Sequence, residues 1–335
     1  MNSIQILNLA KSICNLKKLQ NKMIVLCEGT VEPEPPSDSN ATHRQLRQSP
    51  GTYAKERFED SKFYKKCLPV DLRSKVQFIN CGDRSNVIDA FHRITKICQD
   101  DPVNSYIDTE RLFAIVDLDL EVKKISDYHF SSIEEIYNDI YCCDSGKLRL
   151  KNHRIYTTGL IHKEAYFILP ELEGEFFSGF LERFPKLQHF GQPFNLKIIY
   201  QTLINSIGDD PRIKENFDIV KQRIQRYLSP EELIDLDPRK LQVILEQRFE
   251  ACTNQYSLDS EEGRSLLIKA VLVITKVKDL AWNQITDGDD YPLDAKVIRD
   301  QLTLNIAEYF SRNHESLRDF HIMEILKFIA EQSRS

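Results

Sequence analysis

The chain has 335 residues, 41% hydrophobic and 29% charged, enough to bury a sizeable core and to form two domains. Its 45 basic and 51 acidic residues leave a net charge of -6, which excludes a polybasic protein held to nucleic acid by bulk charge, so any phosphate contact has to be local. Eight cysteines without a Cys-x-x-Cys pair argue against a zinc module; with no apolar run near the roughly 20 residues of a membrane helix and no signal-peptide pattern, the expectation is a soluble, cytoplasmic protein with no membrane partner.

Residues 3–20 place Ile4, Ile6, Leu7, Leu9, Ile13 and Leu16 among lysines, the pattern of a short amphipathic helix, so residues 1–21 are predicted as an N-terminal helical segment. Met23 to Cys27 is a continuous apolar run ended by Glu28-Gly29, which predicts a strand buried on both faces in a parallel sheet. From residue 31 to 52 the composition turns to Pro, Ser, Asn and Gln, and a long Pro-rich loop is expected. Order resumes with a helix over Tyr53–Leu68, a strand over Val76–Asn80 ended by Gly82, and a helix over Asn86–Cys98. Leu112 to Val116 is a third all-apolar strand ending in Asp117. Ile133–Ile140 reads as helix, Arg154–Ile161 as extended, and Glu164–Phe184 as helical patches interrupted by Pro170.

Beyond about Gln192 the pattern becomes helical throughout, over 195–207, 213–228, 238–256, 261–283, 294–312 and 317–332, with no strand expected. Pro211, Pro230, Pro238 and Pro292 fall where a helix's first turn or a loop takes proline. The predicted organisation is therefore an α/β domain over 22–190, a mostly parallel sheet flanked by helices, followed by an all-α domain over 191–335.

Acids stand at the carboxyl ends of two buried strands: Glu28 after the first, Asp117 and Asp119 after the third. That edge is where open α/β sheets bind ligands. Asp117 and Asp119, two apart in an extended segment, would point the same way, and like charges so close call for a counter-ion. A hard divalent cation, Mg²⁺ or Mn²⁺, with water and phosphate filling its other positions, suits that demand and phosphoryl chemistry.

Glu28-Gly29 after a buried strand, Phe63-Tyr64 on a helix, Cys81-Gly82-Asp83-Arg84-Ser85-Asn86-Val87 after the second strand and Val116-Asp117-Leu118-Asp119 after the third resemble the Toprim order, over about residues 22–185. The closest likeness is to the OLD family and stand-alone Toprim nucleases of antiviral defence. The resemblance implies a metal-dependent nuclease acting on DNA or RNA, with Glu28, Asp117 and Asp119 holding metal and Glu121 as a third acid. His162-Lys163-Glu164 is similar to the acid-plus-aromatic helix start that follows the last core strand in such proteins. It implies Glu164 as a further ligand or acceptor of metal-bound water, and Lys163 as a phosphate contact. Relatives of this type often work with an ATPase, and because the sequence has no Walker loop, that ATPase would be a separate chain. The Pro-rich stretch between Glu28 and Phe63-Tyr64 departs from the family pattern.

Other readings stand beside these. A strand-end acid also serves a turn, an acid at a helix start also serves capping, and Ser85-Asn86 also suits a helix cap. His162 reads first as a packing histidine. Asp287-Gly288-Asp289-Asp290 lacks the closing glutamate of a calcium loop and reads as a solvated turn. Arg44, Arg47, Lys55 and Arg57, and the run Lys147, Arg149, Lys151 and Arg154 on a hairpin-like segment, meet either phosphate or water. The alternative to a nuclease is a catalytically inactive or partner-activated binding module on the same fold.

Overall fold

The computed structural model describes residues 1–31, 60–121, 124–141, 148–254, 258–289, 293–313 and 322–332. The Pro-rich stretch from residue 32, the start of the helix expected at Tyr53, and Arg44, Arg47, Lys55, Arg57, Lys147, Asp290 and Pro292 lie outside them. The chain forms two compact units, one of residues 1–114 with 300–311 and the chain end from 329, the other of 115–299 with 312–328.

In the first unit α1 (Ser3–Cys14) is opened by a reciprocal cap between Asn2 and Gln5. It is followed by β1 (Met23–Cys27), α2 (Asp60–Cys67), β2 (Val76–Asn80), α3 (Arg84–Asp100) and the start of β3 (Leu112–Val116). All five residues of β1 and of β3 are buried, as continuous apolar runs require of strands covered on both faces. β1 pairs in parallel with β2, Met23 opposite Val76 through Cys27 opposite Asn80. The cap of α3 is Asp83, whose carboxylate accepts from Asn86 N–H at 3.0 Å, ahead of the expected Ser85-Asn86. Residues 300–311 belong to this unit because they pack on it: Ser311 Oγ donates to the Leu68 carbonyl at 3.0 Å and receives Arg73 at 3.3 Å.

The carboxyl ends of β1 and β2 are joined by a pair of backbone bonds and by the Asn80 side chain. Gly29 and Gly82 exchange two N–H···O bonds of 2.8 Å, at φ +128° and +93°. The Asn80 side chain accepts from Ser61 N–H at 3.1 Å and donates to the Thr30 carbonyl at 3.3 Å.

The second unit continues β3 and adds α4 (Ile133–Tyr141), β4 (Ile155–Thr157), a 3-10 segment Lys163–Ile168, α5 (Glu175–Arg183), β5 (Leu187–His189) and β6 (Gln192–Pro193). β1 to β4 form one parallel four-stranded sheet in the order β2-β1-β3-β4. Helices then follow: α6 (Leu196–Ser206), α7 (Pro211–Glu215), α8 (Phe217–Ile224), α9 (Pro230–Leu233), α10 (Pro238–Asn254), α11 (Leu258–Leu272) and α12 (Val277–Leu280). Pro211, Pro230 and Pro238 each take a first helical position. α13 (Ala295–Arg312) and α14 (Ile322–Glu331) are each divided between the units.

The helical region is not wholly α. β7 (Ile285–Asp287) lies within it and pairs antiparallel with β5, Leu187 opposite Asp287, in a second sheet ordered β6-β5-β7. Three residues are too few to show alternation in sequence. The single helix expected over 261–283 is two, because the chain leaves helical form after Leu272 and resumes at Val277. The segment 148–154 has no regular structure in place of the expected hairpin, and Arg149 there reaches Asp139 at 3.4 Å. Asp287 and Asp289 form a tight turn, with Lys186 bonded to Asp289 at 2.8 Å. Among the described residues no helix is long and apolar enough to cross a membrane.

A Cβ on Gly29 would stand 2.9 Å from Asn80 Cγ, at a φ that side chains rarely adopt. Gly29→Ala is expected to cost on the order of 2 kcal/mol, read as a lowered urea midpoint at unchanged slope; an unaltered midpoint would show that the bridge does not constrain the fold.

Candidate functional site

The predicted residues fall in both units. Glu28, half-buried, follows β1 in the first. Asp117, Asp119, Glu121, Lys163 and Glu164 all belong to the second.

β3 ends at Val116, and the Asp117-Leu118-Asp119 segment beyond it is irregular, with Leu118 fully buried between two half-buried aspartates. Asp119 has φ +22°, so the segment is not the extended strand end expected from sequence, and the pleat alone does not set how the two carboxylates face. A network of fixed donors holds the backbone instead. Thr158 N–H donates to the Val116 carbonyl at 3.0 Å, Leu118 N–H to Thr158 Oγ1 at 3.0 Å, and Asp119 N–H to the Ile161 carbonyl at 3.0 Å.

The centre of that network is Arg223 on α8, 1% exposed. Its Nη2 donates to the carbonyls of Leu118 at 2.9 Å and Asp119 at 2.6 Å, its Nη1 to the Val273 carbonyl at 3.0 Å, and its Nε to Glu134 Oε2 at 3.2 Å. A further charge-assisted contact joins Nη2 to Glu134 Oε1. A buried guanidinium is tolerated only when its charge is met and its donors are used, and both conditions hold. The Leu118 and Asp119 carbonyls thus turn toward Arg223, and Asp117 Oδ1 is itself buried, so of the two aspartates it is Asp119 that lines open space. The sequence offered one signal for this residue: Val220, Arg223 and Ile224 share the buried face of α8, so an arginine sits in the middle of an apolar stripe.

Beside Asp119 lies a cavity of about 200 Å³, lined by Asp119, Glu121, Asp210, Arg212, Glu215 and Lys276 among others. Asp210 caps α7 through Arg212 N–H at 2.8 Å and pairs with the Arg212 guanidinium at 3.1 Å. The site is thus concave and acidic, with two cations in its wall.

Glu164 and Lys163 occupy the start of the 3-10 segment, 3% and 6% exposed. Glu164 Oε1 is 3.9 Å from Lys163 Nζ and 3.5 Å from Lys278 Nζ, and Oε2 is 3.1 Å from His162 Nδ1. Lys278 N–H donates to His162 Nε2 at 3.3 Å, which assigns the ring proton to Nδ1, toward the carboxylate. Burial pushes the Glu164 carboxyl up, but the Lys163 charge, the His162 contact and Lys278 outweigh it and hold the group well below the usual carboxylate range. His162 is therefore an orienting partner of Glu164 as well as a packed ring. Burial, with a smaller push from the Asp117 charge, raises the Tyr166 hydroxyl, which accepts from Gly159 N–H at 2.8 Å.

Among the described residues no group of three or more His, Cys, Asp or Glu side chains is arranged to hold a metal ion. The donor set at Asp117, Asp119 and Glu121 is all hard oxygen, which fits the magnesium pattern of one or two carboxylates completed by water and substrate phosphate, rather than an all-protein cage. Compared with known protein families, with curated proteins and with solved structures, the chain matches none.

Two expectations follow. Arg223→Met strands the Glu134 charge and three carbonyls, and should lower unfolding free energy by about 3–5 kcal/mol, with Arg223→Lys recovering only part because an ammonium lacks the planar fork; a loss under about 1 kcal/mol by urea titration would refute the clamp. Glu164 has a folded pKa below its unfolded value of 4.5, so its stabilisation is complete above that pH and lost as pH falls through the folded pKa. Glu164→Gln should therefore be less stable than wild type at neutral pH and show a shallower decline on acidification below about pH 4.5, measured by thermal unfolding across pH.

Proposed function

We propose that the chain is a metal-dependent phosphodiester hydrolase of Toprim type, with Asp117 and Asp119 as principal metal carboxylates and Glu121 at the rim; Glu28, at the end of β1 in the first unit, is the further acid that the resemblance adds. The observation that carries this reading is the Asp117-Leu118-Asp119 segment itself: two acids beyond a buried strand, on backbone fixed by Arg223, with Asp119 opening on a cavity. Mg²⁺ or Mn²⁺, when bound, supplies activation of water and neutralisation of the scissile phosphate.

The chain's own residues do the rest. Asp117 and Asp119 offer hard oxygen donors without a change of backbone, so little ordering is left to the moment of binding. Glu121, exposed on the cavity wall, would orient a water, and Arg212 and Lys276 would meet phosphate oxygens of DNA or RNA. By the same resemblance the enzyme would be an effector of antiviral defence, with any ATPase a separate chain.

One observation favours a second reading, a binding or regulatory module without turnover. Glu164 and Lys163, both assigned to catalysis by the resemblance, are buried against each other and against Lys278 and His162, so their charges are already balanced inside the protein.

The deciding experiment compares wild type with Asp117→Asn/Asp119→Asn and with Glu28→Gln on plasmid, linear DNA, total RNA and tRNA with Mg²⁺ or Mn²⁺, alongside Mn²⁺ binding followed by electron paramagnetic resonance. The nuclease reading expects cutting reduced by about 100-fold or more and weakened Mn²⁺ binding in the aspartate variant. Mn²⁺ binding lost in the variant, with no cutting by wild type, supports the binding module. Cutting unchanged in both variants overturns the carboxylate assignment.

A further inference from the structure

Cys14 closes α1 and Cys98 lies in the last turn of α3, and the two elements pack together in the first unit. Their sulfurs stand 3.8 Å apart, 1% and 5% exposed. Cys98 Sγ also contacts Ser105 Oγ at 3.0 Å, and Tyr106 N–H donates to the Cys14 carbonyl at 2.9 Å, so the 105–107 loop holds both cysteines in place. Cys98 lines a cavity of about 430 Å³ with Asn21, Ser105, Tyr106, Asp108 and Arg111, which gives a small polar reagent a route to its sulfur.

We propose that Cys14 and Cys98 are an oxidation site, a dithiol that hydrogen peroxide converts to a disulfide joining α1 to α3. The two sulfurs are already in contact at 3.8 Å, against the roughly 2.05 Å of an S–S bond. Cys98 is the attacking sulfur. It is the sulfur that lines the cavity, and its contacts with Cys14 and then Ser105 lower its thiol against burial and the Asp108 charge, which favours the thiolate there. Two other buried thiols of the unit differ: burial pushes Cys81 up to about 12 and Cys67 well above the ordinary range.

In the first step the Cys98 thiolate attacks one peroxide oxygen. The S–O bond forms, the O–O bond breaks, and hydroxide leaves to become water, leaving Cys98 as the sulfenic acid. Cys14 is held protonated chiefly by its hydrogen bond to Cys98, with burial and the Cys98 charge adding to it. Conversion of Cys98 to the neutral sulfenic acid removes that charge and that acceptor. The Cys14 sulfur then gives up its proton and attacks the Cys98 sulfur; the S–S bond forms, the S–O bond breaks, and a second water leaves. Two thiols are oxidised and one peroxide is reduced to two waters.

The test treats the full folded chain with hydrogen peroxide and reads intact mass and mapped peptides. Expected is a loss of two hydrogens reversed by dithiothreitol, a cross-link joining the Cys14 and Cys98 peptides, and a rate about tenfold or more above that of Cys81 oxidation. Cys14→Ser should leave Cys98 as a sulfenic acid trapped by dimedone, and Cys98→Ser should leave Cys14 unreacted. Far-UV circular dichroism confirms that each variant is folded. Oxygen addition without a cross-link in wild type, a cross-link through other cysteines, or equal rates at Cys98 and Cys81 would overturn the proposal.

Discussion

The second unit depends on one buried guanidinium. Arg223 meets a carboxylate and three main-chain carbonyls from three separate stretches of chain, those around Leu118, Glu134 and Val273. An arginine in that position is costly to desolvate, and the cost is offset only while all its partners stay in register. The acidic segment after β3, the start of α4 and the break after α11 are thus tied to a single charge. Removing the guanidinium would leave the Glu134 charge and three carbonyls buried without their donor, so the three stretches stay in one arrangement for as long as it is there.

Much of the first unit was legible in the sequence. Met23–Cys27 and Leu112–Val116 appear with the expected bounds because a strand buried on both faces must be apolar at nearly every position and must stop where a polar or glycine residue begins, and Val76–Asn80, only partly buried, appears with its expected bounds ahead of Gly82. The helices from Leu196 and Pro238 were legible from periodicity and from proline at first turns. What stayed hidden was set by contacts distant in sequence. Val271 to Ile274 is an unbroken apolar run, and only the structure shows that the helix ends inside it, releasing the Val273 carbonyl to Arg223. β7 is three residues long and exists because β5 offers an edge.

The candidate site was legible by residue type more than by geometry. Asp117 and Asp119 do follow a buried strand, but the positive φ of Asp119 is fixed by tertiary donors that no local pattern announces. Glu164 shows the opposite case. Its sequence context reads equally as ligand and as helix-start acid, and the three groups that decide its electrostatics include Lys278, far along the chain. A buried carboxylate faced by two ammonium groups and an imidazole is stabilised as an anion without further partners.

The side chain of Asn80 holds Thr30 with its amide nitrogen and Ser61 with its oxygen, so the chain departs from the sheet and returns to it at one point. One amide thus fastens the residue that follows the Gly29–Gly82 bridge and the first turn of α2 to the last residue of β2. A change at Asn80 reaches Thr30 and Ser61 together, at the same end of the pair that sets Met23–Cys27 against Val76–Asn80.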